Sequence, residues 1–248
     1  MTPRWHQWTA AALATAFAWV AYAYLTLPDV RPLATTNPST TAFMDLRARE
    51  ARAARKTPRH DQRWVAYRRI SPALTRAVLL AEDAAFWQHD GVDYDELTKS
   101  IELDWARGQL TRGASTITQQ LAKNLYLSPS KNPLRKFREL IIARRLEAEL
   151  TKTRILELYL NVIEFGDGLY GVEAASQVYI QRSATSLDAV QSALLAGSII
   201  NPRVLNPGKP TPRLRRRQQI ILGRMGQTTN QGGLAEDDSQ PDDPTVSK

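Results

Sequence analysis

Residues 8–27 read WTAAALATAFAWVAYAYLTL, with no charged side chain in the run. A helix of about 20 consecutive apolar residues is the length that crosses the hydrocarbon core of a bilayer. Trp8, Trp19, Tyr22 and Tyr24 are of the type that anchors such a helix at the two interfaces. Arg4 and the amino terminus precede the run, which predicts a cytoplasmic leader and a single-pass anchor over residues 1–27, with the remainder of the chain on the far side. Arg47, Arg49, Arg52 and Arg55 count the other way, but they stand well downstream, and long domains translocate largely regardless of charge. A cleaved signal peptide, with Ala21 and Ala23 at the cleavage site, and a buried core helix are the rival readings; the run is longer than a usual signal-peptide core.

The 248 residues suffice for one large domain, and 43% hydrophobic content supports a sizeable core. A net charge of +8 points to an anionic partner: nucleic acid, acidic lipid or a phosphorylated substrate. The absence of cysteine excludes disulfides and thiol chemistry without naming a compartment, and three scattered histidines argue against a zinc site. Residues 28–42 are rich in proline and threonine and read as a linker. The segment that follows, to Arg69, is basic and alanine-rich, with short helices broken at Pro58. Its arginines fit a solvated face or contact with acidic head groups near the anchor. From Ser71 onward the pattern is helical. Ser71 serves as N-cap and Pro72 as first helical residue of the helix that carries Glu82, with Gly91 as the stop. Further helices are expected over 94–107, 115–126, 133–151, 153–161, 171–181, 186–196 and 212–225, with few strand-like runs. Residues 227–248 are acidic and nearly free of apolar residues, so they are expected to be disordered. The organisation is one mostly α domain, residues 43–226, between an anchor and a loose tail.

The stretch VLLAEDAAFWQHDG, residues 78–91, sets Glu82 and Asp83 inside an apolar, helix-forming run. On a helix Glu82 shares a face with Val78, Leu79, Ala85 and Phe86, the face normally turned inward. In PLRKFRELIIARRLEAEL, Glu139 likewise shares a face with Ile142, Ala143, Leu146 and Leu150. A buried carboxylate is costly unless paired, hydrogen-bonded or used. The plain reading is that each glutamate pairs with an arginine at the edge of the core. The chemical reading is that both face one cleft, the usual equipment for chemistry at the anomeric carbon of a sugar. Arg135 and Lys136 precede Glu139 by one turn, and Lys123 and Lys131 lie just upstream. Such a cluster suits phosphate oxygens, or else is a solvated helix start. In RGASTITQQLAKN, Ser115 is placed to cap a helix, with Gln119 and Gln120 projecting from its second turn; hydroxyls and amides at that density suit sugar hydroxyls or phosphate oxygens. His89 has no evident carboxylate partner beyond nearby Asp90 and Asp93, and a structural hydrogen bond in the turn before Gly91 is the simpler role.

Taken in order, EDAAFWQHDGVD, RGASTITQQLAKN, RKFRE, RILELYLNVIEFGDGLYGVEAAS and AGSIINPRVLNP resemble the motifs of the peptidoglycan glycosyltransferases. The family comprises the N-terminal module of bifunctional penicillin-binding proteins and the stand-alone monofunctional transglycosylases. The match covers residues 73–225, and no transpeptidase module follows it, which resembles the monofunctional enzymes. The resemblance implies a lysozyme-like α fold with a small membrane-proximal jaw lobe, preceded by one transmembrane helix. It implies polymerisation of lipid II into β-1,4-linked glycan strands, with inversion at C1 and release of undecaprenyl diphosphate. By motif position Glu82 takes the role of general base and Glu139 that of the second carboxylate, which assists the leaving diphosphate directly or through a divalent cation. Lys123, Arg135 and Lys136 match basic positions that hold the donor diphosphate, and Lys131 falls in a loop with a basic position. Ser115, Gln119 and Gln120 match polar positions that line the cleft. Asp83, Phe86, His89 and Gly91 complete the first motif as ordering residues. The last motif departs from the pattern, with Val204-Leu205 where an aromatic often precedes the final proline. No cofactor is required, and Mg2+ or Mn2+ is the cation to be considered. The implied partners are lipid II, the growing lipid-linked glycan, membrane lipid and other cell-wall synthesis or division proteins, with no nucleic acid. The implied location is the bacterial inner membrane, with the catalytic domain outside the cytoplasm. The nearest alternative is a membrane-bound, lysozyme-like lytic glycosidase; a non-enzymatic anchor with a basic face is a further one.

Overall fold

A computed structural model describes residues 5–98, 102, 115–127 and 133–230. Its α-helices are α1 (Trp5–Leu25), α2 (Ala42–Ala53), α3 (Pro72–Glu82), α4 (Ile117–Tyr126), α5 (Pro133–Glu149), α6 (Lys152–Val162), α7 (Val172–Ile180), α8 (Ala189–Ser198) and α9 (Pro212–Asn230). Of the helix expected over 94–107, residues 94–98 and 102 are helical and the others lie outside the described residues, as do Lys131 and residues 231–248 of the expected tail. Three short strands, β1 (Asp61–Gln62), β2 (Glu164–Gly166) and β3 (Leu169–Tyr170), form one sheet in the order β1-β3-β2. β1 runs parallel to β3 and β2 antiparallel to it. The molecule is mostly helical, as its periodicity predicts.

The helices start where short polar side chains satisfy the free amides of a first turn. Thr41, Thr116 and Thr151 cap α2, α4 and α6, and Asp188 with Gln191 forms a capping box on α8. Their apolar faces then close on a common core that includes Leu74, Val78, Ile117, Leu121, Ile142, Leu146, Ile155, Leu158, Tyr159 and Leu195. Each such side chain contributes about 1.5–3 kcal/mol when fully buried. α8 packs against α3 and α9, while α4 packs against α2, α5 and α6. The polar residues of α4 are thereby held in the middle of the domain.

Three local expectations are corrected. α3 ends at Glu82 instead of running on toward Gly91. Asp83 adopts φ −164° and ψ 82°, and its carboxylate accepts from the Ile117 amide at 2.9 Å. A partner 34 residues away outweighs local helix propensity. Ala85 and Phe86 therefore do not share a helical face with Glu82; Phe86 is buried from a short 3-10 turn. The hydroxyl of Ser71 does not cap α3 but donates to the Leu187 carbonyl at 2.7 Å, tying α3 to the segment before α8. The cap of α4 is Thr116, not Ser115.

The expected linker lies against the domain. Val30 and Leu33 are buried, and Arg154 of α6 donates to the carbonyls of Leu33 and Thr36 and to the Asn37 side chain. α1 is 21 residues long and has no charged residue. Trp8, Leu13, Phe17 and Tyr22 are exposed on it and, at about 100° per residue, project to different sides. Among the described residues, no helix is long and apolar enough to cross a membrane.

Candidate active site

The site grows from the end of α3 and the start of α4. Asp83 joins the two: one carboxylate oxygen accepts from the Ile117 amide, and the carboxylate also meets His89 Nε2 at 3.0 Å. An acid at a helix N-terminus is favoured by the amides and the dipole there. His89 is held in turn by Lys152, which bonds its carbonyl, lies 4.4 Å over the Phe86 ring and pairs with Glu147 at 2.9 Å. Glu147 also accepts from the Thr118 hydroxyl at 2.5 Å. Gly91 has φ +83°, and its carbonyl accepts from Thr116 Oγ1 at 2.7 Å. Asp83, Phe86, His89 and Gly91 thus form a brace that sets where α4 begins.

Glu82 stands beside this brace with its side chain only 10% exposed. Its Oε2 accepts from Gln120 Nε2 at 3.1 Å. Its Oε1 is buried without a hydrogen-bond partner, and the closest cation is Arg217 Nη2 of α9 at 3.8 Å. Burial pushes the Glu82 carboxyl above the usual glutamate range; the Gln120 hydrogen bond, Arg217 and Lys123 pull it back, and the Asp83 charge adds to burial.

Glu139 is turned inward too, with a side chain 3% exposed, but it is fully engaged. Arg135 Nη1 donates to Oε2 at 2.7 Å and Lys136 Nζ to Oε1 at 2.5 Å. Lys136 also donates to Ser115 Oγ at 3.0 Å and approaches Gln119 Oε1 at 3.5 Å. Gln120 Nε2, which bonds Glu82, is also 3.3 Å from the Ser115 carbonyl. One path of hydrogen bonds therefore runs Glu82, Gln120, Ser115, Lys136, Glu139. Lys123 feels charges at both ends of it; burial pushes its ammonium down from the ordinary lysine range, Glu139 and Glu82 oppose that, and Arg135 and Lys136 reinforce it. The sequence candidates that the structure describes are brought together here.

Two members of this neighbourhood are not sequence candidates. Arg217 is 135 residues from Glu82, and Tyr159 lies in the fourth motif as an apolar-face residue of α6. Tyr159 donates to Gln120 Oε1 at 2.9 Å. Both contacts come from helix packing, for which sequence spacing carries no signal. His89 has its partner in Asp83, not in Asp90 or Asp93. The plain reading of the glutamates holds for Glu139, which does pair with cations, and only weakly for Glu82.

The surroundings of Glu139 do not fit a divalent cation: both oxygens already accept from positive groups, which would repel the ion. Asp83, His89 and Asp93 bring single ligand atoms within 4.8 Å of one another. Asp83 is spent on His89 and the Ile117 amide, so the Asp83–His89 pair is a hydrogen-bonded brace and not a metal seat.

A buried carboxylate with one oxygen lacking a hydrogen bond, joined through a hydrogen-bonded path to fixed cations, has the parts of a group-transfer site with an anionic leaving group. The transglycosylase family model matches residues 48–226, and the chain belongs to that family. Among curated relatives, the biosynthetic peptidoglycan transglycosylase of Nitrosospira multiformis is 45% identical over 189 residues, 76% of this chain and 82% of the relative. That of Laribacter hongkongensis is 46% identical over 191 residues, 76% of this chain and 83% of the relative. That of Dechloromonas aromatica is 45% identical over 189 residues, with 76% and 82% covered.

Proposed function

We propose that this chain polymerises lipid II into β-1,4-linked glycan strands, with Glu82 as general base. The observation that carries the reading is the buried Oε1 of Glu82, which has no hydrogen-bond partner and lies 3.8 Å from Arg217, at one end of a hydrogen-bonded path whose other end is a cation cluster. The acceptor sugar's 4-hydroxyl gives its proton to Glu82 as its oxygen attacks C1 of the donor. The bond from C1 to the diphosphate oxygen breaks, and the electron pair leaves on undecaprenyl diphosphate with inversion at C1. Positioned proton transfer of this kind is worth roughly 10²–10⁴-fold in rate. Lys123, Arg135 and Lys136 receive the diphosphate charge, by analogy with an oxyanion donor worth roughly 3 kcal/mol. Glu139 acts through these cations: with both oxygens engaged, it fixes Arg135 and Lys136 in place for the leaving group. The Lys123, Arg135 and Lys136 cluster favours synthesis over lytic hydrolysis, which releases no diphosphate.

α1 serves as a single-pass anchor in the bacterial inner membrane, with the leader in the cytoplasm and the domain outside. Its freedom from charge and its exposed Trp8, Leu13, Phe17 and Tyr22 support this role. Arg138 of α5 donates to the Thr26 carbonyl at 3.1 Å, so the helix bearing Glu139 starts near the end of α1. A cleft near the bilayer surface suits substrates with lipid tails. A lysozyme-like architecture with a small membrane-proximal jaw lobe completes the proposal.

The test is gel analysis of products from labelled lipid II in detergent. Wild type yields polymer, and Glu82→Gln yields roughly 10²-fold less or none, with an unchanged circular dichroism spectrum. Wild-type turnover in Glu82→Gln overturns the assignment of the base. Release of fragments from finished sacculi, with no polymer from lipid II, overturns synthesis in favour of lysis.

A further inference from the structure

Tyr159 is wholly buried on α6, and its hydroxyl donates to Gln120 Oε1 at 2.9 Å. The opposite edge of the same amide faces Glu82 Oε2 at 3.1 Å and the Ser115 carbonyl at 3.3 Å. An ionised carboxylate only accepts hydrogen bonds, so it requires the NH2 edge of Gln120. A protonated carboxyl donates, and is served equally well by the amide oxygen after a half-turn of the amide. The Tyr159 hydroxyl at 2.9 Å, with the longer Ser115 carbonyl contact beside it, favours the first. Burial keeps it protonated well above the usual tyrosine range, and its buried proton, which Gln120 Oε1 accepts, would lose that acceptor if the amide turned.

We infer that Tyr159 is a positioning residue for the base: through Gln120 it holds Glu82 in the ionised form, with Oε2 pinned and Oε1 left for the incoming hydroxyl. This rests on the reading of Glu82 as general base. The groups that face Glu82 are Asp83 beside it, Gln120 and Lys123 from α4, Tyr159 from α6 and Arg217 from α9. Tyr159→Phe leaves every charge among them in place and removes one oxygen.

The experiment measures kcat and KM on labelled lipid II as a function of pH, with full-length protein in detergent. In Tyr159→Phe only the longer Ser115 carbonyl contact still favours that orientation of the Gln120 amide, the amide turns more readily, and the protonated form of Glu82 gains a partner. The acid limb of the kcat profile then moves up by about one pH unit, so kcat falls by up to about tenfold at pH values below the wild-type limb, recovers toward wild type at alkaline pH, and KM stays within about twofold. A structural defect lowers kcat at every pH. Gln120→Ala removes the amide itself and moves the limb in the same direction, and adding Tyr159→Phe to it moves the limb no further. An unmoved limb in Tyr159→Phe, or shifts that add in the double variant, overturns the inference. If Tyr159→Phe does not fold, an unmoved limb in Gln120→Ala overturns it instead. Glu82→Gln is run alongside. Activity in that variant sinks the base reading, whereas an inactive Glu82→Gln beside an unmoved Tyr159→Phe limb sinks this inference alone.

Discussion

At the scale of single residues, the two glutamates part company. Both face inward, but Glu82 keeps one oxygen without a hydrogen bond while Glu139 gives both to cations. The raised pKa of Glu82 has a consequence for stability. Its folded form binds a proton more tightly than its unfolded form does, so its contribution is full below the unfolded value of about 4.3 and is lost as pH rises through the folded value. At neutral pH the ionised group therefore weakens the fold. Glu82→Gln is expected to raise the melting temperature at neutral pH by on the order of 2 °C, with the difference vanishing below about pH 4. A lower melting temperature in the variant at neutral pH contradicts the burial argument. Lys123 is the complementary case, a cation kept partly desolvated beside the other cations. Lys123→Ala is expected to weaken binding of a diphosphate-bearing donor analogue about tenfold or more, with little change in melting temperature. Titration calorimetry with unchanged affinity removes Lys123 from the donor site.

At the scale of elements, the decisive event is the early end of α3. Asp83 leaves the helix to accept from the first amide of α4 and to meet His89. Asp83→Ala is expected to lower stability by about 2–3 kcal/mol, since two buried donors lose an ionised acceptor. Activity falls with it, because α4 carries Gln119, Gln120 and Lys123; chemical denaturation and turnover on the same samples check this. Gly91 supports the same junction from a positive φ, with Glu147 Cγ 3.0 Å from where a Cβ would stand. Gly91→Ala is expected to cost about 1–2 kcal/mol through backbone strain, read as a lower denaturation midpoint at unchanged slope.

At the scale of the whole molecule, α1 and the domain meet in a short packed segment. Leu27, Val30 and Leu33 are in the core, and Arg154 holds the carbonyls that follow. A protein that starts at Thr26 is therefore expected to keep its melting temperature within about 3 °C, while a further truncation through Leu33 lowers it by more. The same protein starting at Thr26 is expected to lose co-sedimentation with anionic lipid vesicles. Retained sedimentation shows that the basic domain surface, and not α1, holds the chain to lipid.

The sequence alone determined what is local and periodic. Helices over most of the chain, the uncharged N-terminal run, Glu82 and Glu139 on apolar stripes, and the cations one turn before Glu139 are set by residue type and by the 3.6-residue repeat. Tertiary structure decided what depends on partners far along the chain. It ended α3 at Glu82, moved the cap of α4 from Ser115 to Thr116, laid residues 28–42 on the domain, and brought Tyr159 and Arg217 to Glu82. These outcomes are absent from local spacing because a buried carboxylate or amide takes the best donor that packing offers, and packing sets that donor's position only once the helices have met.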